Sequence, residues 1–235
     1  MSDLTDAFAA AFSLLLSRDP ELVEIVSLSL AVSGSATLLA GALGLPLGAW
    51  LGVAHFPGRR LVVTALNALL GLPAVVVGLG VFLVLSRSGP LGALGLLFTP
   101  PAMVIAQTVL LLPLVAALTR QAAEDLWEEY GEELRALGAS RLRAVPTLLF
   151  EGRFALLTVL LAGLGRALAE VGAVILVGGN IAHVTRVMTT AIALETSRGE
   201  LALALGLGIL LLALSLALNT GAELARGWAA RRAAA

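Results

Sequence analysis

The chain of 235 residues contains no cysteine and no lysine. Without cysteine there is no disulfide framework, no thiolate nucleophile and no cysteine metal site. Without lysine there is no phosphate-binding loop of the G-x-x-x-x-G-K-[ST] type, so the nucleotide chemistry of any ATP-driven step belongs to another chain. Histidine is nearly absent: His55 and His183 are the only two, and each reads as a loop or interface residue rather than a ligand. No H-E-x-x-H or paired-Asp motif is present, which leaves a membrane enzyme little to work with. Charge is scarce as well, at 13% of residues, where a soluble domain averages nearer ~25%.

What the chain has is apolar length. Hydrophobic residues make up 59% of it, and a helix needs ~20 of them in a row to cross the hydrocarbon core of a bilayer. The candidate spans run from Ile25 to Gly52, Leu61 to Leu85, Thr99 to Thr119, Phe154 to Val177 and Leu201 to Ala222, and only the fourth is interrupted by charge. The runs are continuous rather than alternating, which excludes a barrel pattern. In lipid the backbone must then satisfy itself within each segment as helix. The expected fold is therefore all-α: one polytopic membrane domain over residues 1–235 with five transmembrane helices.

The distribution of arginine orients it. Arg59 and Arg60, then Arg120, Arg135, Arg141, Arg143 and Arg153, then Arg226, Arg231 and Arg232 fall on one side of the five spans. Arg18, Arg87, Arg186 and Arg198 fall on the other, and Arg166 lies within the fourth span. The richer side is expected in the cytoplasm, which puts the N-terminus outside and the C-terminus inside. The first residues, MSDLTDAF, carry Asp3 and Asp6 in place of a positive n-region, so no cleavable signal peptide is expected. Leu4, Phe8, Phe12 and Leu15 form one helical stripe, an amphipathic interfacial helix. Asp19-Pro20-Glu21 then supplies an N-cap, a proline at the first helical position and an acid in the first turn.

Several spans carry breaks. Span one contains Gly34, Gly41, Gly44 and Gly48, small residues that let helices approach closely in lipid. Gly71-Leu72-Pro73 should kink or loosen span two, Gln107 and Pro113 interrupt span three, and SRSGPLGALGLLFTPP forms an outer loop. Breaks of this kind mark either a transport path or ordinary packing kinks.

Between spans three and four the chain turns charged. Trp127, Tyr130, Leu134 and Leu137 recur at spacings of 3, 4 and 3, while Glu124, Asp125, Glu128, Glu129, Glu132 and Glu133 crowd the other positions. That is an amphipathic helix of three to four turns. Gly138 should stop it as a left-handed C-cap. Ser140 can cap a second helix carrying Leu142, Val145 and Leu149, bent by Pro146. The expected product is a helix-Gly-helix elbow over residues 124–151 in the largest cytoplasmic loop, with its corner protruding; from composition alone it could also be a plain interfacial connector.

The stretch E-x-x-x-x-x-G-A-S-R, with an aliphatic residue ten positions after the glycine, resembles the EAA loop of ABC importer permeases. Glu132, Leu137, Gly138, Ala139, Ser140, Arg141 and Leu148 match that pattern, whereas Glu133, Leu134 and Glu151 stand where the family usually has two alanines and a proline. GLPAVVVGLGVFLVLSRSGPLG and GRALAEVGAVILVGGNI extend the likeness over nearly the whole chain, to permeases of molybdate, tungstate and sulfate importers and most of all to the tungstate branch. The resemblance implies a permease subunit, itself no catalyst, that moves an oxyanion, tungstate or molybdate, across the inner membrane. It implies that Glu132, Arg135, Leu137, Gly138, Ala139, Ser140 and Arg141 couple to a separate ATPase subunit that holds ATP and Mg, that two permease copies work together, and that an extracytoplasmic binding protein delivers the ligand. This chain itself would bind no cofactor or metal, and no nucleic acid is expected as a partner. The alternatives are a permease for sulfate or an amino acid, and an ATP-independent channel or carrier; internal repeats would support a carrier, and no convincing ones are evident.

Arg166 and Glu170 lie four residues apart, on one face of a helical fourth span. Charges at membrane depth face the bundle interior, so the pair is either a gate on an oxyanion path or an internal lock between helices. Asn180 and Thr185 follow in the next loop as further path or gate candidates. Thr185 would cap a short helix whose N–H groups attract anions, unless that helix only covers the membrane surface.

Overall fold

A computed structural model describes residues 19–233 together with Ser13 and Ser17, with the side chains of 225–226 and 228–233 left aside. The amphipathic stripe of Leu4, Phe8, Phe12 and Leu15 lies outside the described residues. Among those described the fold is helical without strands: α1 (Pro20–Val53), α2 (Arg59–Leu69), α3 (Ala74–Leu85), α4 (Pro100–Ala136), α5 (Arg141–Glu151), α6 (Arg153–Leu168), α7 (Gly172–Gly178), α8 (Met188–Arg198) and α9 (Leu201–Ala233). Three of these, α1, α4 and α9, are long and apolar enough to cross a membrane, and there are up to five if α2 with α3 and α5 with α6 each count as one broken span. The chain is an all-α polytopic membrane protein.

Local chemistry explains most boundaries. Asp19 Oδ1 accepts from the N–H groups of Glu21 at 2.9 Å and Leu22 at 3.3 Å, and α1 starts at Pro20. This satisfies two of the donors that every helix start leaves open. The expected loosening at Gly71-Leu72-Pro73 is a full break, because proline cannot continue the ladder and disfavours helix in the residue before it. Span three and the amphipathic helix expected after it form one helix of 37 residues, α4. From Leu114 to Tyr130 there is neither glycine nor proline to stop it, and Pro113 is accommodated inside. At ~1.5 Å per residue such a helix is roughly 55 Å long, well beyond a hydrocarbon core of ~30 Å.

The fourth candidate span is corrected. It was expected as one helix from Phe154 to Val177, but α6 ends at Leu168 and the short α7 begins only at Gly172. α5 and α6 meet at a bend of 73° at Gly152.

The chain divides into two compact units. The first comprises residues 1–35, 74–107 and 166–217. In it α3 packs on α7 through glycine: a Cβ on Gly78 would meet the Ala173 Cα at 2.7 Å, and one on Gly172 the Val75 Cγ2 at 2.7 Å. Met103 and Val177 are buried nearby, and the Phe98 N–H donates to Val177 O at 2.9 Å. The second unit comprises residues 36–73, 108–165 and 218–235. Here Gly44, Gly48 and Gly52, one turn apart on α1, lie against Val115, Ala116 and Ala123 of α4. Leu51, Leu66, Ala116 and Ala117 form a small core beside them, closed by Phe56, whose ring stacks on Trp50 with centroids 5.4 Å apart. α9 is mostly left uncovered, with Leu212 and Leu216 exposed.

Candidate functional site

The elbow belongs to the second unit. α4 ends as its glycine predicts: Gly138 has φ +79°, its N–H donates to Arg135 O at 2.9 Å, and the Ala139 N–H reaches back to Leu134 O at 2.9 Å. These two bonds satisfy carbonyls at the helix end in the pattern of a Schellman cap. Ser140 has extended backbone and its Oγ accepts from the Arg143 N–H at 3.4 Å, which starts α5. The corner is open, because a Cβ on Gly138 would find no atom within 4 Å.

The packed face of the elbow differs from the predicted stripes. Val53 at the end of α1, with Ala144 and Leu148 of α5, forms the buried core, and Leu126, Trp127, Leu134 and Val145 pack around it. Tyr130 is exposed, Leu137 is 83% exposed and Leu142 is 59% exposed. The inward positions on α5 are Ala144 and Leu148, each one residue before the expected Val145 and Leu149, and Ala144 shares its buried cluster with Val53. The corner therefore presents leucines on both sides of Gly138.

Arg141 ties the corner to the end of α1. Its Nη1 donates to Val53 O at 3.4 Å, meets His55 Nδ1 at 2.8 Å, and the guanidinium carbon lies 5.3 Å from the Trp127 ring centroid. Arg135 turns back on its own helix, donating Nε to Gly131 O at 2.9 Å, and Glu132 is exposed. Sequence patterns missed a second anchor. Glu124 bridges Arg59 and Arg120, and Arg59 Nε also donates to Leu51 O at 3.0 Å, closing the end of α1. Its signal was a cation just after an apolar run, where helix carbonyls go unpaired.

The second group of predicted residues lies in the first unit. Arg166 Nη1 donates to Glu170 Oε2 at 2.9 Å, but Glu170 stands beyond the end of α6, in the break before α7. Glu170 is 5% exposed, and its other oxygen accepts from the Ala173 N–H at 3.1 Å, capping α7. The break needs such partners because each buried backbone group it frees costs roughly 1–3 kcal/mol if left unpaired. Gln107 Nε2 donates to Ala167 O at 3.0 Å, and Thr189 Oγ1 donates to Glu170 O at 2.8 Å. Gln107 was visible as a polar residue in an apolar run, whereas Thr189 carried no signal.

Asn180 has φ +50° and donates Nδ2 to Thr190 O at 3.3 Å. Thr185 is fully buried and does not cap the following helix, contrary to expectation. Its Oγ1 donates to Gly178 O at 2.6 Å and accepts from the Ile181 N–H at 2.9 Å, so it knots the loop. α8 starts three residues later, at Met188. The N–H groups there are already occupied: Val187 donates to Thr190 Oγ1 at 3.1 Å and Met188 to Ser29 Oγ at 2.8 Å. Both histidines are exposed loop residues, His55 meeting Arg141 and His183 Nδ1 lying 2.8 Å from Glu24 Oε2. Among the described residues no group of three or more His, Asp or Glu side chains is placed to hold a metal ion.

The chain is similar to known membrane proteins over most of its length. It is 41% identical over 200 residues, 85% of this chain and 88% of the relative, to the tungstate uptake system permease protein TupB of Peptoclostridium acidaminophilum. It is 42% identical over 185 residues, 77% and 80% of the two chains, to a probable anion ABC transporter permease protein of Haloferax volcanii. To the tungstate uptake system permease protein TupB of Campylobacter jejuni it is 37% identical over 197 residues, 84% and 82% of the two. Residues 44–234 match the model of the family described as the inner membrane component of binding-protein-dependent transport systems, a stretch that holds the elbow and the broken fourth span alike, and the chain belongs to that family.

Proposed function

We propose that this chain is the permease subunit of an ATP-driven importer for a tetrahedral oxyanion, tungstate or molybdate, working as two copies with an ATPase and an extracytoplasmic binding protein. ATP and Mg belong to the ATPase. The excess of arginine on one side of the spans supports a cytoplasmic C-terminus and an N-terminus outside. The similarity to tungstate and anion permeases supports the substrate.

The observation that carries the mechanism is the open corner at Gly138. A helix end held by its own cap, with open space where a Gly138 Cβ would point and exposed leucines on both sides, is a knob built for another protein's cleft. Glu132, Arg135, Leu137, Gly138, Ala139, Ser140 and Arg141 would meet the ATPase there. Arg141, bonded to Val53 O, would carry movement of the corner to α1. Arg166, Glu170, Asn180 and Thr185 would lie along the path or at its gate.

The test is tungstate uptake into proteoliposomes holding this chain and its ATPase, with loaded binding protein outside and ATP inside. The proposal expects uptake that needs ATP and all three proteins. Uptake by this chain alone, without ATP, would make it a channel or carrier. ATP-dependent uptake of sulfate or an amino acid with no tungstate uptake would move the substrate elsewhere.

A further inference from the structure

We propose that Arg166 is the anion contact of the translocation path and that Glu170 is a fixed counter-charge that sets how tightly the anion is held; this rests on the oxyanion-importer reading. The two side chains are bonded, yet their surroundings are opposite. The Glu170 side chain is 5% exposed and the Arg166 side chain 52% exposed.

Glu170 cannot leave its place cheaply. One carboxylate oxygen caps α7 through Ala173 N–H, the other takes Arg166, and its backbone carbonyl accepts from Thr189. Gln107 holds the preceding turn through Ala167 O. Three elements, α4, α7 and α8, thus pin the break at Glu170. Arg166 commits Nη1 to this anchor and presents the rest of a five-donor fork outward.

Depth decides what that open edge faces. Arg166 stands 13 residues after Arg153, the first residue of α6, roughly 20 Å along the axis at ~1.5 Å per residue. That lies inside a hydrocarbon core of ~30 Å if Arg153 marks its edge. A half-exposed guanidinium at such depth does not face lipid, where it would cost several kcal/mol. It faces a water-filled path, and its planar fork suits two oxygens of a tetrahedral oxyanion. An uncompensated cation there would trap a dianion, whereas conduction needs binding weak enough to release. Glu170 supplies that compensation.

The experiment compares variants in proteoliposomes with the ATPase, saturating tungstate-loaded binding protein and radiolabelled tungstate, reading tungstate moved per ATP hydrolysed. Arg166→Gln should lower that ratio about tenfold, the scale of one charge-assisted hydrogen bond, while stimulated hydrolysis persists; Arg166→Lys, which keeps the charge without the fork, should recover only part of it. Glu170→Gln keeps an oxygen for Ala173 N–H but removes the charge, so more tungstate should stay on the gel-filtered complex while uptake slows. An unchanged ratio in Arg166→Gln, or loss of the assembled complex in both arginine variants, overturns the proposal and leaves a packing lock. A parent complex that moves no tungstate overturns the importer reading itself, which separates the two failures.

Discussion

Gly48 of α1 lies so close to α4 that a Cβ there would sit 2.4 Å from the Ala116 carbonyl oxygen and 2.8 Å from the Thr119 Cβ. Backbone meets backbone, and neither can yield as a flexible side chain would. Gly48→Ala should therefore destabilise the protein by about 1–3 kcal/mol, the usual cost of overpacking. Gly34, on the same helix with nothing within 4 Å, is the control. Gly34→Ala should be neutral or gain up to about 1 kcal/mol, because alanine is the better helix former. Thermal unfolding in detergent, followed by size-exclusion, distinguishes the two. Equal midpoints would mean that α1 and α4 stand farther apart.

Glu124 is the shared partner of Arg59 and Arg120, all three only partly exposed. Glu124→Ala should leave two guanidinium groups facing one another at the end of α1 and lower stability by roughly 1–3 kcal/mol. Glu128→Ala, on the exposed face one turn later, should change it by less than about 0.5 kcal/mol. A chemical denaturation series on both variants reads the difference.

Thr185 makes two hydrogen bonds from a fully buried hydroxyl. Thr185→Val keeps the shape and removes both, so Gly178 O and Ile181 N–H lose a partner. The expected loss is about 2 kcal/mol or more, with faster hydrogen exchange over residues 178–187. Thr185→Ser, which retains the hydroxyl, should stay near the parent.

The coupling proposal makes its sharpest demand at Gly138. A residue with a Cβ pays about 1–2 kcal/mol for the left-handed conformation there, and a bulky one would also keep the corner out of a cleft. Gly138→Trp should leave the chain inserted and folded, since a Cβ there meets no atom within 4 Å and the corner is exposed, yet lose co-purification of the ATPase or separate hydrolysis from uptake. Glu128→Gln should do neither. Parent-like binding and uptake in Gly138→Trp would reduce the elbow to a connector.

The sequence by itself determined what depends on neighbours along the chain. Continuous apolar runs dictate helices in lipid, Asp19-Pro20 dictates where α1 starts, and Gly138 with Ser140 dictates where α4 stops and α5 begins, because caps and left-handed turns are local chemistry. The elbow's pattern was likewise legible, since its residues are contiguous. Only the tertiary structure decided which side of each helix packs. On α5 the inward residues are Ala144 and Leu148 rather than Val145 and Leu149, and Ala144 shares its buried cluster with Val53, some ninety positions earlier. The fourth span reads as one helical run carrying Arg166 and Glu170 on one face, yet it breaks after Leu168. Its freed backbone groups find Gln107 and Thr189, from distant parts of the chain, and Glu170 itself. Thr185 looked like a helix cap and is a loop knot, since the hydroxyl takes whichever buried backbone groups folding brings to it. Periodicity reports that a face is apolar; which partner covers it, and which polar atom needs an answer there, is set by contacts that no local spacing encodes.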